Sequence, residues 1–375
     1  MLALGWPGRA QTPPASANGL ADVLQPFVDA RQIAGVVTLV ADRDGVLDVT
    51  CVGERDLATH APMRPDTLFW IASQTKPFTA TALMSLVDEG KVGVEDPVER
   101  YLPNFRGQMR ITARGTEFAL LTRPVHPVTV RNLLTHTSGL PYGSALEGAA
   151  LDALPLAVAV GSYAMTPLNF EPDSQYSYAN AGLNTVGRIV EVAGGQPYAD
   201  FVRARLLEPL GLRDTTFWPD PAQQARLATV YRQAGPGDPL TPIPINVLGA
   251  PLDDRAHRHA VPAAGLFSTA ADCGRFCRMI LRGGELNGRR YLSEAAVAQM
   301  THRQTPERLP VSYGFGWSTE GERCGHSGAY ETDMGMDRSR GLVYVFMVQH
   351  AGHGADAERC KEAFWQAANA RFKAR

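Results

Sequence analysis

Apolar residues first recur at helical spacing from Leu20 to Arg31, where Leu20, Val23, Leu24, Phe27 and Val28 form one face. That period predicts a surface helix. The spacing then shortens. Val36 to Ala41 and Val46 to Thr50 are rich in β-branched residues and flank Asp42-Arg43-Asp44-Gly45, a turn sequence that predicts a hairpin. Near the other end, Ser312 to Ser318, Thr332 to Met336 and Leu342 to Gln349 read as strands, and Asp356 to Phe372 as a last helix. A lone hairpin is barely stable, so the early pair is expected to join the late strands in one sheet covered by the two terminal helices.

Between these ends the helical period dominates, at Pro77 to Glu89, Val130 to Leu134, Asn180 to Ala193 and Tyr198 to Leu207, with few strand signals. Gly139-Leu140-Pro141, Gly194-Gly195 and Gly283-Gly284 punctuate the region. The pattern predicts an α/β lobe built from residues 19–95 and 305–375, with a mainly helical lobe, 96–304, inserted between its halves. A cleft is expected where the lobes meet. Residues 1–18 lack periodicity and carry three prolines, which marks them as a disordered leader or the remnant of an export signal. The protein is expected in the cytoplasm as given, or outside it if a signal has been trimmed.

Composition narrows the function. Of 375 residues, 45% are hydrophobic and 20% charged, and the net charge is -2, which excludes wholesale disorder and offers no footprint for nucleic acid. No apolar run approaches the ~20 residues of a membrane span. Five scattered cysteines do not make a disulfide framework. Cys273 and Cys277 are spaced like half a metal site, but no second pair follows, so buried small side chains are expected.

The most informative stretch is Phe69-Trp70-Ile71-Ala72-Ser73-Gln74-Thr75-Lys76-Pro77-Phe78. A helix beginning at Ser73 puts that hydroxyl and the Lys76 amine on one face, a turn apart. A neutral lysine can take the serine's proton and make it a nucleophile. This requires the lysine pKa to fall by about three units from ~10.4, roughly 4 kcal/mol, which burial can supply. The chain holds only four lysines against 32 arginines, and aromatic residues flank this one. The plain alternative is a helix-capping serine beside a solvated lysine.

Two further segments complete a pattern. Tyr176-Ser177-Tyr178-Ala179-Asn180 precedes a helix, and Gly325-His326-Ser327-Gly328-Ala329 lies near the late strands. Asn180 offers a donor and an acceptor that suit either Lys76 or a substrate carbonyl, or it is simply a cap. A Lys76 ammonium would stabilise a Tyr178 phenolate as a base. His326 reads equally as a neutral donor, a partly charged anion contact or a core histidine.

These motifs, together with Leu133-Leu134-Thr135-His136-Thr137-Ser138-Gly139-Leu140 and Gly265-Leu266-Phe267-Ser268-Thr269, resemble the serine beta-lactamase-like superfamily over roughly residues 20–365. That superfamily includes class C beta-lactamases, D-alanyl-D-alanine carboxypeptidases, D-aminopeptidases and family VIII carboxylesterases. The resemblance implies an α/β (α+β sandwich) fold, a mixed sheet flanked by the terminal helices with a second helical lobe. It implies Ser73 as the acylated nucleophile, Lys76 as its partner and Tyr178 as general base or acid. Asn180, His326 and Gly328 are implied to orient substrate, and the backbone N–H groups of Ser73 and Ala329 to form the oxyanion hole. His326-Ser327-Gly328 stands where the family usually has Lys-Thr-Gly or Trp-Gly-Gly.

No Gly-x-Ser-x-Gly elbow, Rossmann fingerprint or phosphate loop occurs. Asp253, Asp254, His257 and His259 look metal-like, but in an Arg-rich loop they are expected to form a solvated lid; His350 and His353 are set aside as turn residues. The expected activity is hydrolysis of a small carboxylic ester, with no cofactor and no metal. The alternatives are a D-Ala-D-Ala carboxypeptidase, a D-aminopeptidase or weak beta-lactamase, and a catalytically silent ligand-binding homologue.

Overall fold

The computed structural model describes residues 19–235, 237–352 and 355–372, so the expected leader at 1–18 and His353 lie outside the described residues. Helix α1 spans Leu20–Asp29, β1 Gly35–Asp42, β2 Val46–Asp56 and β3 Ala61–Pro62. The nucleophile candidate precedes α2, Thr75–Asp88, and α3, Val130–Leu134, and α4, Asn180–Gly194, follow. Helix α5, Ala270–Leu281, leads to β4, Ser318–Glu320, β5, Arg323–Ser327, β6, Asp333–Asp337, and β7, Leu342–Met347; α6, Ala355–Arg371, ends the fold.

One seven-stranded sheet runs β4-β5-β6-β7-β1-β2-β3, with each neighbour antiparallel to the next. Val37 pairs with Met347 and Asp42 with Leu342, so the early hairpin joins the late strands through β1 and β7. All eight residues of β1 are buried, which explains its unbroken apolar sequence, since both sheet faces are covered. Val36 and Val40 face the layer of α1 and α6 with Leu24, Phe346 and Phe364. Val37 and Leu39 face the opposite core with Val345 and Phe276. That second face is covered by α5, which packs on β1, β6 and β7 although it lies within residues 96–304. At Gly274 a Cβ would stand 2.6 Å from Leu39 Cδ2, so the missing side chain sets how closely α5 approaches the sheet.

Two strand expectations change. Of the expected strand Ser312 to Ser318 only Ser318, the first residue of β4, is extended; the rest is a loop with one isolated bridge, Tyr313 to Ser318. Its alternating aromatics point into the core instead: Trp317 stacks on Phe276, with centroids 6.0 Å apart. Gly316, at φ 75°, lies where a Cβ would be 2.7 Å from Ala80 Cβ and 3.0 Å from the Lys76 carbonyl oxygen, so the loop folds tightly onto α2. The strand that does form, β5, lacks β-branched residues and carries little strand signal of its own. Its pairing with β4 and β6 supplies the order that local propensity does not.

In the middle of the chain α2 packs against α4. Tyr198–Val202 continues through a π-helical turn, Arg203–Leu207. Short strands also occur there, including the hairpin Arg110–Arg114 with Ala119–Thr122 and the pair Phe69–Trp70 with Phe267–Ser268. The latter pair ties the segment before Ser73 to the segment after Ala263. Among the described residues no helix is long and apolar enough to cross a membrane.

Candidate active site

The Ser73 turn is held from both sides. Ile71 N–H donates to the Leu266 carbonyl at 3.0 Å and Trp70 Nε1 to Ala264 at 2.8 Å. Ala72 sits at φ 45°, a left-handed conformation that costs a side-chain-bearing residue energy. Helix does not begin regularly at Ser73: Ala72–Gln74 form a 3-10 turn, and α2 starts at Thr75. The tighter turn still leaves Ser73 and Lys76 in contact.

Lys76 Nζ lies 3.1 Å from Ser73 Oγ, 2.9 Å from Asn180 Oδ1 and 2.9 Å from the Ala263 carbonyl oxygen. The side chain is wholly buried, and desolvation pushes its pKa well below the usual lysine range. Asn180 Oδ1 and the Ala263 carbonyl can only accept. With the amine neutral they would take both of its N–H bonds and leave its lone pair to the Ser73 hydroxyl. Asn180 is spent on this task, because its Nδ2 donates to Tyr142 Oη at 3.1 Å. It makes no cap bond; Ala179 is the N-cap of α4. One turn further on, Asn184 Oδ1 accepts from Ala263 N–H at 3.1 Å, so α4 places both carbonyl partners of Lys76.

Tyr178 packs over the amine, with Lys76 Nζ 4.6 Å from its ring centroid. Burial pushes its phenol above the usual tyrosine range, opposed by a hydrogen bond with Ser73. Desolvation thus works against the expected phenolate beside an ammonium, favouring the neutral form of each group.

His326 is buried in β5. Its Nδ1 is 2.8 Å from the Ser327 carbonyl oxygen and its Nε2 3.0 Å from Tyr313 Oη, which puts the proton on Nδ1 and makes Nε2 the acceptor. Burial first, and then the neighbouring Lys76, push its pKa down to about 3. The partly charged anion contact considered from sequence is therefore absent at neutral pH. Beyond it, Gly328 brings the end of β5 against the nucleophile turn: a Cβ there would be 2.5 Å from the Ile71 carbonyl oxygen. Ala329 is exposed in the following turn.

The structure thus brings Ser73, Lys76, Tyr178 and Asn180 together, with His326 and Gly328 alongside. Tyr142, Tyr313, Asn184 and the Ala263 carbonyl were not anticipated. Asn180 and Asn184 stand at an i, i+4 spacing that could have been read; a backbone carbonyl leaves no mark in a sequence. Among the described residues no cluster of three or more His, Cys, Asp or Glu could hold a metal. Asp254 bonds His257 at 2.8 Å on the surface, but the expected solvated lid is pinned by Arg258, buried against Asp152 at 2.6 Å. Cys273 and Cys277 are buried, unbridged thiols.

An antiparallel sheet layered between helices, with a helical part carrying Tyr178 and Asn180 against the Ser73 turn, is the architecture of the beta-lactamase-like superfamily. The chain belongs to the Beta-lactamase family, whose model matches residues 20–369. It is 33% identical to Protein Rv1367c of Mycobacterium tuberculosis over 86% of this chain and 87% of that protein. It is 38% identical to Esterase EstB of Burkholderia gladioli over 55% of this chain and 52% of that one. Among solved structures, EstCE1, a hydrolase with promiscuous acyltransferase activity, shares the fold with a TM-score of 0.75 at 24% identity, covering 92% of this chain and 97% of that one.

Proposed function

We propose that this protein is a serine hydrolase that cleaves small, uncharged carboxylic esters through an acyl-enzyme on Ser73. The observation that carries the reading is the wholly buried Lys76 amine, held by two carbonyl oxygens within 3.1 Å of the Ser73 hydroxyl. As Ser73 Oγ attacks the ester carbonyl carbon, Lys76 takes the hydroxyl proton. The oxyanion is received by the backbone N–H groups of Ser73 and Ala329. Tyr178, already a phenol, gives its proton to the departing alkoxide and recovers one from the Lys76 ammonium. Water then attacks the acyl group, the same proton path runs in reverse, and the carboxylic acid leaves with Ser73 restored.

The preference for an ester follows from charge. A D-alanyl-D-alanine peptide or a beta-lactam presents a carboxylate that calls for a cation. His326 is neutral with both ring nitrogens engaged, and burial pushes Lys76 toward its neutral form. The esterase name of EstB points the same way. Intact-mass measurement after a fluorophosphonate should show one adduct on Ser73, lost in Ser73→Ala. A panel of p-nitrophenyl acetate and butyrate, a D-alanyl-D-alanine peptide and nitrocefin should give turnover of the esters. Turnover of the peptide or nitrocefin above that of the esters would transfer the assignment to the peptidase or beta-lactamase reading, and absence of any adduct would favour the silent binding homologue.

A further inference from the structure

Within Leu133 to Leu140, a stretch with no part in the proton path above, His136 is 2% exposed and adopts φ 60°, a conformation disfavoured for any residue with a Cβ. Two hydrogen bonds converge on it. Its carbonyl accepts the Ser177 N–H at 2.9 Å, and its Nδ1 accepts the Ala179 N–H at 3.2 Å. The amides on either side of Tyr178 therefore end on one residue. The imidazole also lies against the phenol ring, with centroids 4.5 Å apart. Next along the chain, Thr137 extends the seam: its carbonyl accepts the Asp173 N–H at 2.9 Å, and its Oγ1 donates to Asp173 Oδ1 at 3.0 Å.

Because Nδ1 accepts a hydrogen bond, the ring proton resides on Nε2. That nitrogen is buried with no hydrogen-bond partner among the described residues. The Tyr176 and Tyr313 rings stand edge-on at 5.9 and 4.9 Å. Protonating Nδ1 would turn the acceptor into a donor facing another donor, so the Ala179 half of the clamp exists only in the neutral form. Burial holds the imidazole there by pushing its pKa well below the usual histidine range.

We propose that His136 is the positioning residue for Tyr178, fixing the phenol against Ser73 by gripping both flanking amides. This rests on the reading of Tyr178 as the proton donor. Asparagine and glycine both tolerate the left-handed backbone, but only asparagine keeps a side-chain acceptor near Nδ1. The test compares H136N and H136G, alone and combined with Y178F, by kcat and KM for p-nitrophenyl butyrate, fluorophosphonate labelling of Ser73 and thermal melting. H136G is expected to lower kcat by about 30- to 100-fold with KM within about threefold, since a small misplacement of a reacting group has effects of that size. H136N should restore kcat to within about fivefold of the parent. In the Y178F background H136G should cost less than about twofold more, because its effect passes through the phenol. An unchanged kcat in folded H136G, or an equally large further loss on top of Y178F, would overturn the proposal. Should H136G not fold, H136N decides: activity kept supports the clamp, and activity lost at an unchanged melting temperature refutes it. A parent protein that neither labels at Ser73 nor turns over ester would instead remove the hydrolase reading, and the clamp's catalytic meaning with it.

Discussion

Replacing Asn180 by aspartate tests the neutral amine with almost no change of shape. Asn180 Oδ1 is 2.9 Å from Lys76 Nζ, and at that separation a carboxylate attracts an ammonium by about 6 kcal/mol at an effective dielectric of ~20. This corresponds to about four pKa units. Burying the new carboxylate takes back part of the gain, so a net rise of about two units is expected for Lys76. The sign is fixed by the chemistry: the active form is the free amine, present above its pKa, so raising that pKa moves the acid limb of the rate profile to higher pH. The assay is kcat/KM for p-nitrophenyl butyrate from pH 5 to 10 in parent and N180D. Below both limbs N180D should be slower by about 10²-fold, with the gap closing as pH rises. An acid limb that stays in place in N180D, while the variant melts like the parent, would refute Lys76 as the base.

Further outcomes follow from other contacts. Lys76→Ala and Tyr178→Phe should each slow ester turnover by ~10²-fold or more, and near-parental rates from purified variants would remove those roles. Glu331, pushed up to about 7 mainly by burial, binds a proton in the folded state that the unfolded chain has released between the usual carboxylate pKa and neutrality. Its contribution is therefore present at low pH and lost as pH rises through about 7. Melting curves from pH 5 to 8 should show the parent losing stability relative to Glu331→Gln; parallel curves would contradict the shift. Gly316→Ala forces a Cβ within 2.7 Å of Ala80 Cβ at a left-handed position and should cost ~1–3 kcal/mol in urea denaturation, a result that an unchanged midpoint would exclude.

Much of the sheet was readable because its inner strands are apolar and β-branched: Gly35–Asp42 and Leu342–Met347 announce themselves, and covering helices follow from their amphipathic faces. Strand β5 did not, because Arg-Cys-Gly-His-Ser owes its extended form to its neighbours rather than to its own residues. Ser312 to Ser318 misled for the opposite reason, its alternation serving the core rather than a ladder. At the candidate site the Ser73 to Lys76 spacing was legible because one helical turn determines it. What surrounds Lys76 was not, since the burial that lowers its pKa and its carbonyl acceptors 104 and 187 positions away in the chain come from the tertiary fold. The same holds for His326, whose low pKa reflects burial and whose ring partner stands 13 residues earlier.

Those long separations have a kinetic consequence. Contacts that close such large loops form late or slowly relative to local turns, and in the proposed mechanism Lys76 can take the Ser73 proton only once the core has buried it. A refolding chain would regain helix and sheet signals before it could be acylated. Covalent capture at Ser73, sampled over time after dilution from urea, would thus act as a clock for the final assembly step of the whole molecule.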